Sequence, residues 1–371
     1  MELEVHDSAR HTTTDPLAAR NQSGSDGFRA AAGSDWLEMS STTTRLADSA
    51  AFEQLIEPYR AELQAHCYRM LGSVHDAEDA LQDALLRAWR ALPQFEGRSS
   101  LRTWLYRIAT NSCLRVIERR PRRVLPIDYG APADPHDELA EPLVESVWIE
   151  PYSDGEIADG LAGPEARYEQ RESVELAFIA ALQHLPARQR AVLILRDVLG
   201  FSGAEVAETL ETTPKAVYSA LQRAHRTVEE HLPAHSQQQT LRSLGDARVR
   251  QLVERYMDAW ESGDVNTVVS MLAEDAILAM PPRPSWFRGL EAARVFLASG
   301  PLAPTHSRLV RAAYANGQIA IGCTFLGYPG EPEHLEVLQL LTLEVNGRIA
   351  EITAFVGAEL APFGVPPSSP G

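Results

Sequence analysis

The chain has 371 residues and a formal net charge of −17, with 44% hydrophobic and 23% charged residues. This composition is typical of a soluble globular protein and excludes a largely disordered chain. Its length predicts two or three domains. The acidic total argues against a nucleic-acid-binding protein, which should show a basic surface, but only if the charge is spread evenly.

The cysteines and the apolar segments narrow the class of protein further. Cys67, Cys113 and Cys323 lie far apart without a CxxC spacing. They predict neither a zinc site nor a disulfide framework, which fits a reducing cytosol. No apolar run approaches the roughly 20 residues that a membrane-spanning helix needs. We therefore expect a cytoplasmic protein without a bound metal or cofactor.

The N-terminal residues 1–50 are rich in Ser, Thr, Asp and Gly, and they lack the apolar core of a signal peptide. We expect this segment to be a disordered tail. Met39 stands just before sequence that can fold and is an alternative start of the natural protein. N-terminal sequencing of the native protein would decide between Met1 and Met39.

The charge is concentrated in segments of opposite sign. From Arg98 to Arg123 there are eight Arg residues and one acidic residue. From Val124 to Ala166 there are eleven acidic residues and no basic one, together with six Pro and four Gly. Such a segment should not form regular structure, so residues 124–167 are predicted to be a linker between two helical blocks.

The first block, residues 51–123, is predicted to be helical from the three- and four-residue spacing of its apolar residues. Helices are expected at 51–71, 74–91 and 101–119. Ser99 or Ser100 is a candidate N-cap for the third helix. That helix carries cations beside aromatic residues, which suits single-stranded nucleic acid, although a buried Trp covered by Arg stems would give the same pattern.

The second helix of this block carries three acidic residues on one face. Asp76, Asp79 and Asp83 follow the spacing i, i+3, i+7. A solvated face supported by pairs such as Asp83 with Arg87 explains this pattern without any function. A docking surface for a partner is the other interpretation.

The segment Tyr59–Arg120 resembles region 2 of the extracytoplasmic-function (ECF) group of the sigma-70 family. The matching words are HCYRMLGSVHDAEDALQDALLRAWRALPQF and SSLRTWLYRIATNSCLRVIERR. The resemblance implies that core RNA polymerase, through its clamp-helix coiled coil, is bound by Asp76, Asp79, Gln82 and Asp83. It also implies contacts with the promoter −10 element, where a base is flipped from the stack, by Arg102, Trp104, Arg107, Asn111, Arg115 and Arg119. Because Leu114-Arg115 stands where the family often has an acidic residue, the −10 preference stays open.

The second block, residues 168–232, contains two short helices joined by a three-residue turn. The first, Ser202–Leu210, is followed by a helix in which Thr213 is the expected N-cap and Pro214 the first residue. The second helix is cationic, so the pair predicts a helix-turn-helix. A plain helical hairpin is the alternative.

A segment of the second block resembles region 4 of the same family, which reads the −35 element. The segment is LPARQRAVLILRDVLGFSGAEVAETLETTPKAVYSALQRAHRTV. The resemblance implies promoter contacts by the exposed residues of the second helix, namely Lys215, Tyr218, Ser219, Gln222, Arg223 and Arg226. Many family members carry Arg where this chain has Tyr218 and Ala220, which implies an unusual −35 preference.

The acidic linker contains one segment with apolar residues, VWIEPYSD, at Val147–Asp154. Apolar residues in a polar tether usually have a docking site. Related ECF proteins with a C-terminal extension carry a similar word here, so we expect Trp148 and Pro151 to dock on the third domain. A linker that only spans the two blocks, or one that occupies the RNA path of polymerase, would also fit.

The third domain, residues 246–360, is predicted to have two helices followed by strands, with Asn346-Gly347 as a hairpin turn. The expected sheet is curved and antiparallel. Three segments of this domain resemble the SnoaL-like, nuclear-transport-factor-like superfamily, in which a cone-shaped fold encloses a pocket. They are RYMDAWESGDVNTVVSMLAEDAIL, FRGLEAARVF and LTLEVNGRIAEITAF. Tyr256 matches the oxyanion tyrosine of isomerase members, but Met280 and Gln339 replace the base and the acid. A thioether cannot abstract a proton, so we expect no enzyme.

The predicted fold class is thus two all-α sigma domains, a region 2 helical bundle and a region 4 helix-turn-helix, followed by an α+β SnoaL-like cone. The pattern is closest to the SigG-like group of actinobacteria. It implies a sigma factor regulated by its C-terminal domain, with core RNA polymerase and promoter DNA as partners. An anti-sigma factor, or a small ligand in the SnoaL-like pocket, is a further expected partner. The alternative is a ligand-responsive helix-turn-helix regulator that is not a polymerase subunit.

Overall fold

The computed structural model describes residues 33–143, 147–156, 171–328 and 334–365, with the backbone alone for residues 33–49. The predicted tail as far as residue 32, residues 144–146 and 157–167 of the linker, and residues 168–170 of the second block lie outside the described residues. The chain divides into a unit Met1–Leu55 and a larger unit Ile56–Gly371.

Three helices form the first helical domain: α1 (Gly33–Leu71), α2 (Val74–Ala91) and α3 (Leu101–Ile117). Helix α1 begins at Gly33, inside the segment that composition assigned to the tail, because no Pro or Gly interrupts residues 34–57. Ser73 caps α2, and Ser100 caps α3 by accepting a hydrogen bond of 3.0 Å from the Thr103 amide. Ile56, Leu63, Ala77, Leu105 and Cys113 are among the buried core residues.

The second helical domain follows a single turn, α4 (Pro126–Tyr129), and the described part of the linker. Its helices are α5 (Leu176–Gln183), α6 (Ala187–Leu193) with a π-helical continuation at Ile194–Val198, α7 (Gly203–Thr209) and α8 (Pro214–Glu229). Ser202 and Glu205 form a capping box at α7. The Thr213 hydroxyl accepts a hydrogen bond from the Ala216 amide, so the expected cap of α8 is confirmed.

The third domain begins with α9 (Gln237–Leu244), α10 (Asp246–Ser262) and α11 (Val265–Met271). Its strands are β1 (Leu272–Ala279), β2 (Trp286–Arg288), β3 (Ser307–Ala315), β4 (Gln318–Leu326), β5 (His334–Leu343) and β6 (Ile349–Val356), with α12 (Leu290–Ser299) between β2 and β3. Helix α9 and the short strand β2 were not expected from the sequence. The predicted fold class, two helical domains followed by an α+β domain, is confirmed.

The sheet has the strand order β2-β1-β6-β5-β4-β3. The expectation of a wholly antiparallel sheet is wrong at one pairing, because β1 and β6 run parallel, with Leu278 opposite Ile352. Hairpins connect β3 to β6 in sequence, and this meander returns its last strand beside β1 in the same direction. Among the described residues, no helix combines the length and the apolar character needed to cross a membrane.

Candidate nucleic-acid interface

Helix α3 presents a mixed cationic and aromatic face. Trp104, Arg107, Asn111 and Arg115 follow three- and four-residue steps and therefore share one side of the helix. The Trp104 ring packs against Phe95 with ring centroids 5.0 Å apart. Arg115 is exposed, as is Arg119, which lies just beyond the end of the helix. These residues form one surface that combines cations with an aromatic ring.

Arg102 does not belong to that face. Its Nε and Nη2 atoms donate hydrogen bonds of 3.1 and 3.0 Å to the Glu62 carboxylate. Its guanidinium carbon lies 4.9 Å from the ring centroids of both Tyr106 and Phe201. Arg102 therefore joins α1, α3 and the second helical domain in this structure, and its predicted contact with DNA would need these contacts to open.

The second helical domain covers the beginning of α3. Arg107 lies 3.5 Å from the Glu211 carboxylate and 4.0 Å from that of Glu208. The Thr103 hydroxyl donates a hydrogen bond of 3.5 Å to Glu205. Three acidic residues of α7 and the turn after it thus face the cationic side of α3, an arrangement that the sequence did not predict.

Helix α8 is open by contrast. All six residues predicted to read DNA from this helix are exposed, including Tyr218 with 55% of its surface accessible. Lys215, Tyr218, Ser219 and Gln222 line a shallow groove along the helix. The Tyr218 ring lies over the start of α7, where a Cβ on Gly203 would be only 3.1 Å from its hydroxyl. The helix-turn-helix therefore displays its second helix as a duplex reader would.

An acidic and apolar face lies on α2. Asp79 and Gln82 are exposed, and Leu86 and Trp89 continue the same stripe with 43% and 38% of their surfaces accessible. The sequence prediction missed Leu86 and Trp89, although the three- and four-residue spacing from Asp79 would have revealed them. Large exposed apolar side chains beside polar ones are typical of a protein-docking surface.

Asp83 lies beside this stripe but is already engaged. It accepts hydrogen bonds of 2.7 Å from Arg87 and 3.0 Å from the Ser112 hydroxyl. The Arg87 hydrogen bond is the main reason why the pKa of Asp83 is below its usual value. Asp83 therefore ties α2 to α3 as well as lining the surface.

The structure does not present Asp76 on the α2 face. Asp76 is only 4% exposed and pairs with Arg120 and, at 2.5 Å, with Arg123. Arg123 also donates a hydrogen bond of 2.8 Å to the Trp148 carbonyl and pairs with Glu150 at 3.2 Å. In this conformation Asp76 anchors the beginning of the linker, which is a structural role and not an accessible docking contact.

Trp148 and Pro151 lie in a cleft between the first helical domain and the third domain. The cleft has a volume of about 660 Å³ and is also lined by Pro281 and Phe355. Trp148 is 6% exposed, and its ring centroid is 5.3 Å from that of Tyr129 within the linker. Both predicted docking residues thus border the third domain. Earlier linker residues hydrogen-bond to that domain, for example the Ala140 amide to the Ser285 hydroxyl at 3.1 Å, and further direct hydrogen bonds come from the residues that follow Pro151.

Tyr152 and Ser153 make those direct contacts. Tyr152 is fully buried and stacks on Tyr68 of α1, with ring centroids 4.4 Å apart. Its amide donates a hydrogen bond of 2.8 Å to the Asn316 side chain. The Ser153 hydroxyl donates one of 2.6 Å to the Pro362 carbonyl. Within the segment VWIEPYSD, Tyr152 and Ser153 therefore hydrogen-bond to the third domain, whereas the Trp148 ring packs against Tyr129 of the linker.

Asn316 occupies the turn between β3 and β4 and is completely buried, with φ of 53°. Its side-chain amide donates hydrogen bonds of 3.0 Å to the Tyr68 hydroxyl and 2.7 Å to the Val174 carbonyl. Its side-chain oxygen accepts the Tyr152 amide. One side chain therefore joins α1, the linker and the segment that leads into α5.

The two residues after Asn316 extend this junction. The Gly317 amide donates a hydrogen bond of 2.7 Å to the Asp154 carboxylate, and the Gln318 side chain accepts one of 2.8 Å from the Leu176 amide. A Cβ on Gly317 would lie 2.9 Å from the Arg171 Cβ, so a side chain there would clash. The turn Asn316–Gln318 is hereafter called the hub turn.

The isomerase-type residues of the third domain form no catalytic set. The Tyr256 hydroxyl donates a hydrogen bond of 2.8 Å to the Gln339 side chain, and both residues are buried. Burial raises the pKa of Tyr256 well above its usual value. Met280 belongs to the surrounding apolar core. These three positions hold no carboxylate that could act as a general base.

Three family profiles match the chain. Sigma-70 region 2 matches residues 55–123, Sigma-70 region 4 matches residues 175–228, and a SnoaL-like domain matches residues 253–352. The matches follow one another in the order of the three domains of the structure.

Named relatives extend the similarity over most of the chain. The chain is 44% identical to the ECF RNA polymerase sigma factor SigG of Mycobacterium tuberculosis over 322 residues, which cover 85% of this chain and 84% of the relative. It is 29% identical to the ECF RNA polymerase sigma factor SigW of Bacillus subtilis, over 50% of this chain and 90% of the relative. These relatives are named as sigma factors and not as enzymes.

A solved structure shares the fold. The crystal structure of the ECF sigma factor SigJ of Mycobacterium tuberculosis aligns with a TM-score of 0.52 and 22% identity, over 82% of this chain and 96% of that one. The order of helical and α+β domains, the three family matches and the 44% identity lead to one conclusion. The chain belongs to the ECF group of RNA polymerase sigma factors, and it is not an enzyme.

Proposed function

We propose that this sigma factor binds core RNA polymerase and directs it to specific promoters in the cytoplasm. The observation that supports the proposal is that α3 and α8 each carry a cationic face and that α2 carries an exposed face with acidic and apolar residues. Sigma factors need these three activities, because they attach to the enzyme, read duplex DNA and hold a separated strand. The faces on α8 and α2 are exposed, whereas α7 and the turn after it cover the beginning of α3.

The polymerase-binding face consists of Asp79, Gln82, Leu86 and Trp89, with Asp83 at its edge. Two acidic or amide side chains beside two exposed apolar ones suit an interface with an apolar centre and a polar rim. The acidic residues orient the polymerase and raise the rate of association with it, and the apolar pair supplies the surface that is buried in the complex. Asp76 acts indirectly by holding the start of the linker.

Promoter recognition is divided between the two helical domains. On α8, Lys215, Arg223 and Arg226 offer cations to phosphates, while Ser219 and Gln222 can hydrogen-bond to base edges in the major groove. On α3, Arg107 and Arg115 offer cations to a separated strand, and Trp104 and Asn111 lie between them. The −35 element is therefore read as duplex and the −10 element as single strand.

The C-terminal domain regulates this activity by fixing how the helical domains are arranged. The hub turn supports this part of the proposal, because the side chain of Asn316 hydrogen-bonds to Tyr68, Tyr152 and Val174 at the same time. A signal that changes the third domain, either a small ligand or an anti-sigma protein, would act through these contacts. The arrangement places the regulator in the same chain as the sigma regions.

Reconstitution of core RNA polymerase with the full-length protein, followed by sequencing of transcript starts, tests the proposal. We expect a set of starts that share sequences near −35 and −10 and that vanish without the protein. Specific operator binding by the protein alone, with no new transcript starts in the presence of core enzyme, would contradict it. The protein should bind its promoter weakly until core enzyme is present.

A further inference from the structure

We infer that α7 and its flanking residues act as an intramolecular mimic of the −10 strand. They cover Arg107, at the beginning of the strand-reading side of α3, until promoter DNA displaces them. The inference rests on the proposed function of α3 in reading a separated strand. It assigns a role to the acidic side of the helix-turn-helix, which faces α3.

The acidic half of the mimic is a row of three carboxylates. Glu205, Glu208 and Glu211 are spaced three residues apart, so they lie along one side of α7 and the turn that ends it. Their nearest partners on α3 are Thr103 at 3.5 Å and Arg107 at 3.5 and 4.0 Å. Carboxylate oxygens thus stand against the Arg107 cation, which would otherwise meet phosphate oxygens.

The aromatic half of the mimic is Phe201, immediately before α7. Its ring lies edge-on to the Tyr106 ring, with centroids 5.3 Å apart, and 4.9 Å from the Arg102 guanidinium. Phe201 is 6% exposed, although it stands at the border between two domains. Arg102 and Tyr106 lie beside the strand-reading face, so the Phe201 ring extends the cover along the edge of that face.

The cover is built to be displaced. The side chains of Arg107, Glu208 and Glu211 are 41%, 59% and 74% exposed. Exposed ion pairs of this kind are individually weak and are screened by salt. A DNA strand that contacts several α3 residues at once can therefore compete with them. Meanwhile the duplex-reading face of α8 stays open, so −35 binding does not require the cover to leave first.

Direct binding of single-stranded DNA to the full-length protein tests the inference. The probe is a fluorescein-labelled, mixed-sequence oligonucleotide of about 20 nucleotides, followed by fluorescence anisotropy at low salt. The test variant carries Glu205→Gln, Glu208→Gln and Glu211→Gln. Glutamine can still serve in the capping box with Ser202, so α7 keeps its N-terminal hydrogen bonds. We expect the variant to bind the probe about 3- to 10-fold more tightly than the wild type.

A matched control separates uncovering from a general change in charge. Glu254→Gln, Glu261→Gln and Glu291→Gln remove the same number of negative charges from exposed positions of the third domain. We expect this control to bind the probe no more than about 2-fold more tightly than the wild type. Equal gains in the two triple variants would overturn the inference.

A second variant locates the gain on α3. Adding Arg107→Gln to the α7 triple variant should return affinity for the probe to near the wild-type value, because the uncovered cation is then absent. A gain that survives this change would overturn the inference. Should Glu205→Gln disturb folding, as judged by circular dichroism, the double variant Glu208→Gln/Glu211→Gln replaces the triple variant. The same gain in affinity is expected of it, and no gain would refute the mimic.

The outcome can be distinguished from that of the proposed function. If core enzyme with the wild-type protein makes promoter-specific transcripts but the α7 variants show no gain in DNA binding, only the mimic is refuted. If the variants gain affinity that depends on Arg107 but no protein supports transcription, the mimic stands as a description of the DNA surface and the sigma function fails.

Discussion

The side chain of Asn316 donates a hydrogen bond of 3.0 Å to the hydroxyl of Tyr68, although 248 positions of the chain separate the two residues. The Tyr68 hydroxyl in turn donates a hydrogen bond of 2.8 Å to the Glu150 carbonyl, so the linker is part of the same hydrogen-bond chain. Burial raises the pKa of Tyr68 above its usual value, so it remains a donor at all ordinary pH values. A single buried contact therefore links the third domain to the first.

Replacing Asn316 by Gly should loosen the junction without straining the backbone, because Gly readily adopts the φ of 53° found there. The change removes three side-chain hydrogen bonds, among them those to the Tyr152 amide and the Val174 carbonyl. We expect the free energy of unfolding to fall by about 2–4 kcal/mol, measured by denaturant titration. Promoter-specific transcription with core enzyme should change in the same variant.

Asn346→Gly is the matched control for that change, because Asn346 lies in an exposed turn of the same domain. We expect it to alter the free energy of unfolding by less than about 1 kcal/mol. Similar losses in both variants would mean that the Asn316 contacts carry no special stability.

The α2 face should be sensitive to loss of its apolar residues. The double variant Leu86→Ala/Trp89→Ala is expected to weaken binding to core RNA polymerase at least about 10-fold, because central apolar anchors dominate interface energies. Both side chains are exposed in the free protein, so stability should change little. Val345→Ala, another exposed apolar truncation, serves as control in the same binding titration. Unchanged affinity in the double variant would rule out this face.

The two acidic residues Asp76 and Asp79 should behave differently although the sequence groups them together. Asp76→Asn leaves Arg123 buried with less opposing charge and should cost roughly 3 kcal/mol of unfolding free energy. Asp79→Asn alters an exposed carboxylate and should leave stability within about 0.5 kcal/mol while weakening polymerase binding. Thermal unfolding and a polymerase titration of both variants test the distinction. A stable Asp76→Asn protein would contradict it.

Glu175 should make stability depend on pH. Burial raises its pKa from 4.5 to about 7, although it accepts hydrogen bonds from the Gln237 and Gln238 amides. Between these values the folded chain keeps a proton that the unfolded chain releases, so this contribution to stability falls as pH rises from about 4.5 to 7. Glu175→Gln removes the ionisable group, so the wild type should lose up to about 3 kcal/mol of unfolding free energy relative to this variant between pH 4.5 and 7.

Unfolding free energies of the wild type and Glu175→Gln at several pH values test this expectation. The difference between the two proteins should grow from pH 4.5 to 7 and then level off. Parallel pH profiles would show that the folded state does not raise the pKa of Glu175.

The cations of α8 should contribute to DNA binding through salt-dependent phosphate contacts. Lys215→Gln and Arg223→Gln are each expected to reduce the slope of log K against log salt by about one, measured with promoter DNA and holoenzyme. Arg250→Gln, an exposed change on the third domain, should leave the slope unchanged. Slopes that are the same in all three variants would remove Lys215 and Arg223 from the DNA interface.

Local signals in the sequence predicted much of the helical structure. Thr213 and Pro214 begin α8, and Ser202 begins α7, because capping depends on residues within one turn of each other. The exposure of the α8 residues also follows from helical periodicity. These features need no knowledge of distant parts of the chain, and the sequence therefore predicted them well.

Contacts between distant segments were beyond such reasoning. Asn316-Gly317 is a recognisable turn dipeptide, but nothing local shows that its side chain meets Tyr68 and Val174. Likewise, the acidic residues of α7 are typical of a solvated face until α3 is placed beside them. The segment VWIEPYSD was correctly identified as unusual for a linker, but the fully buried Tyr152 was not among the residues predicted to dock. Long-range packing decides these cases, and one sequence does not encode it in any short pattern.

The position of Asn316 along the chain has a consequence for the order in which the protein is made. Both sigma regions precede Asn316, so both leave the ribosome before the residue that joins them. During synthesis they must fold for a time without the hub turn. A chain that ends early, after α8, would carry both DNA-reading helices and lack the contacts that hold them to the third domain. The chain therefore gains this restraint only after the hub turn, Asn316–Gln318, has been translated.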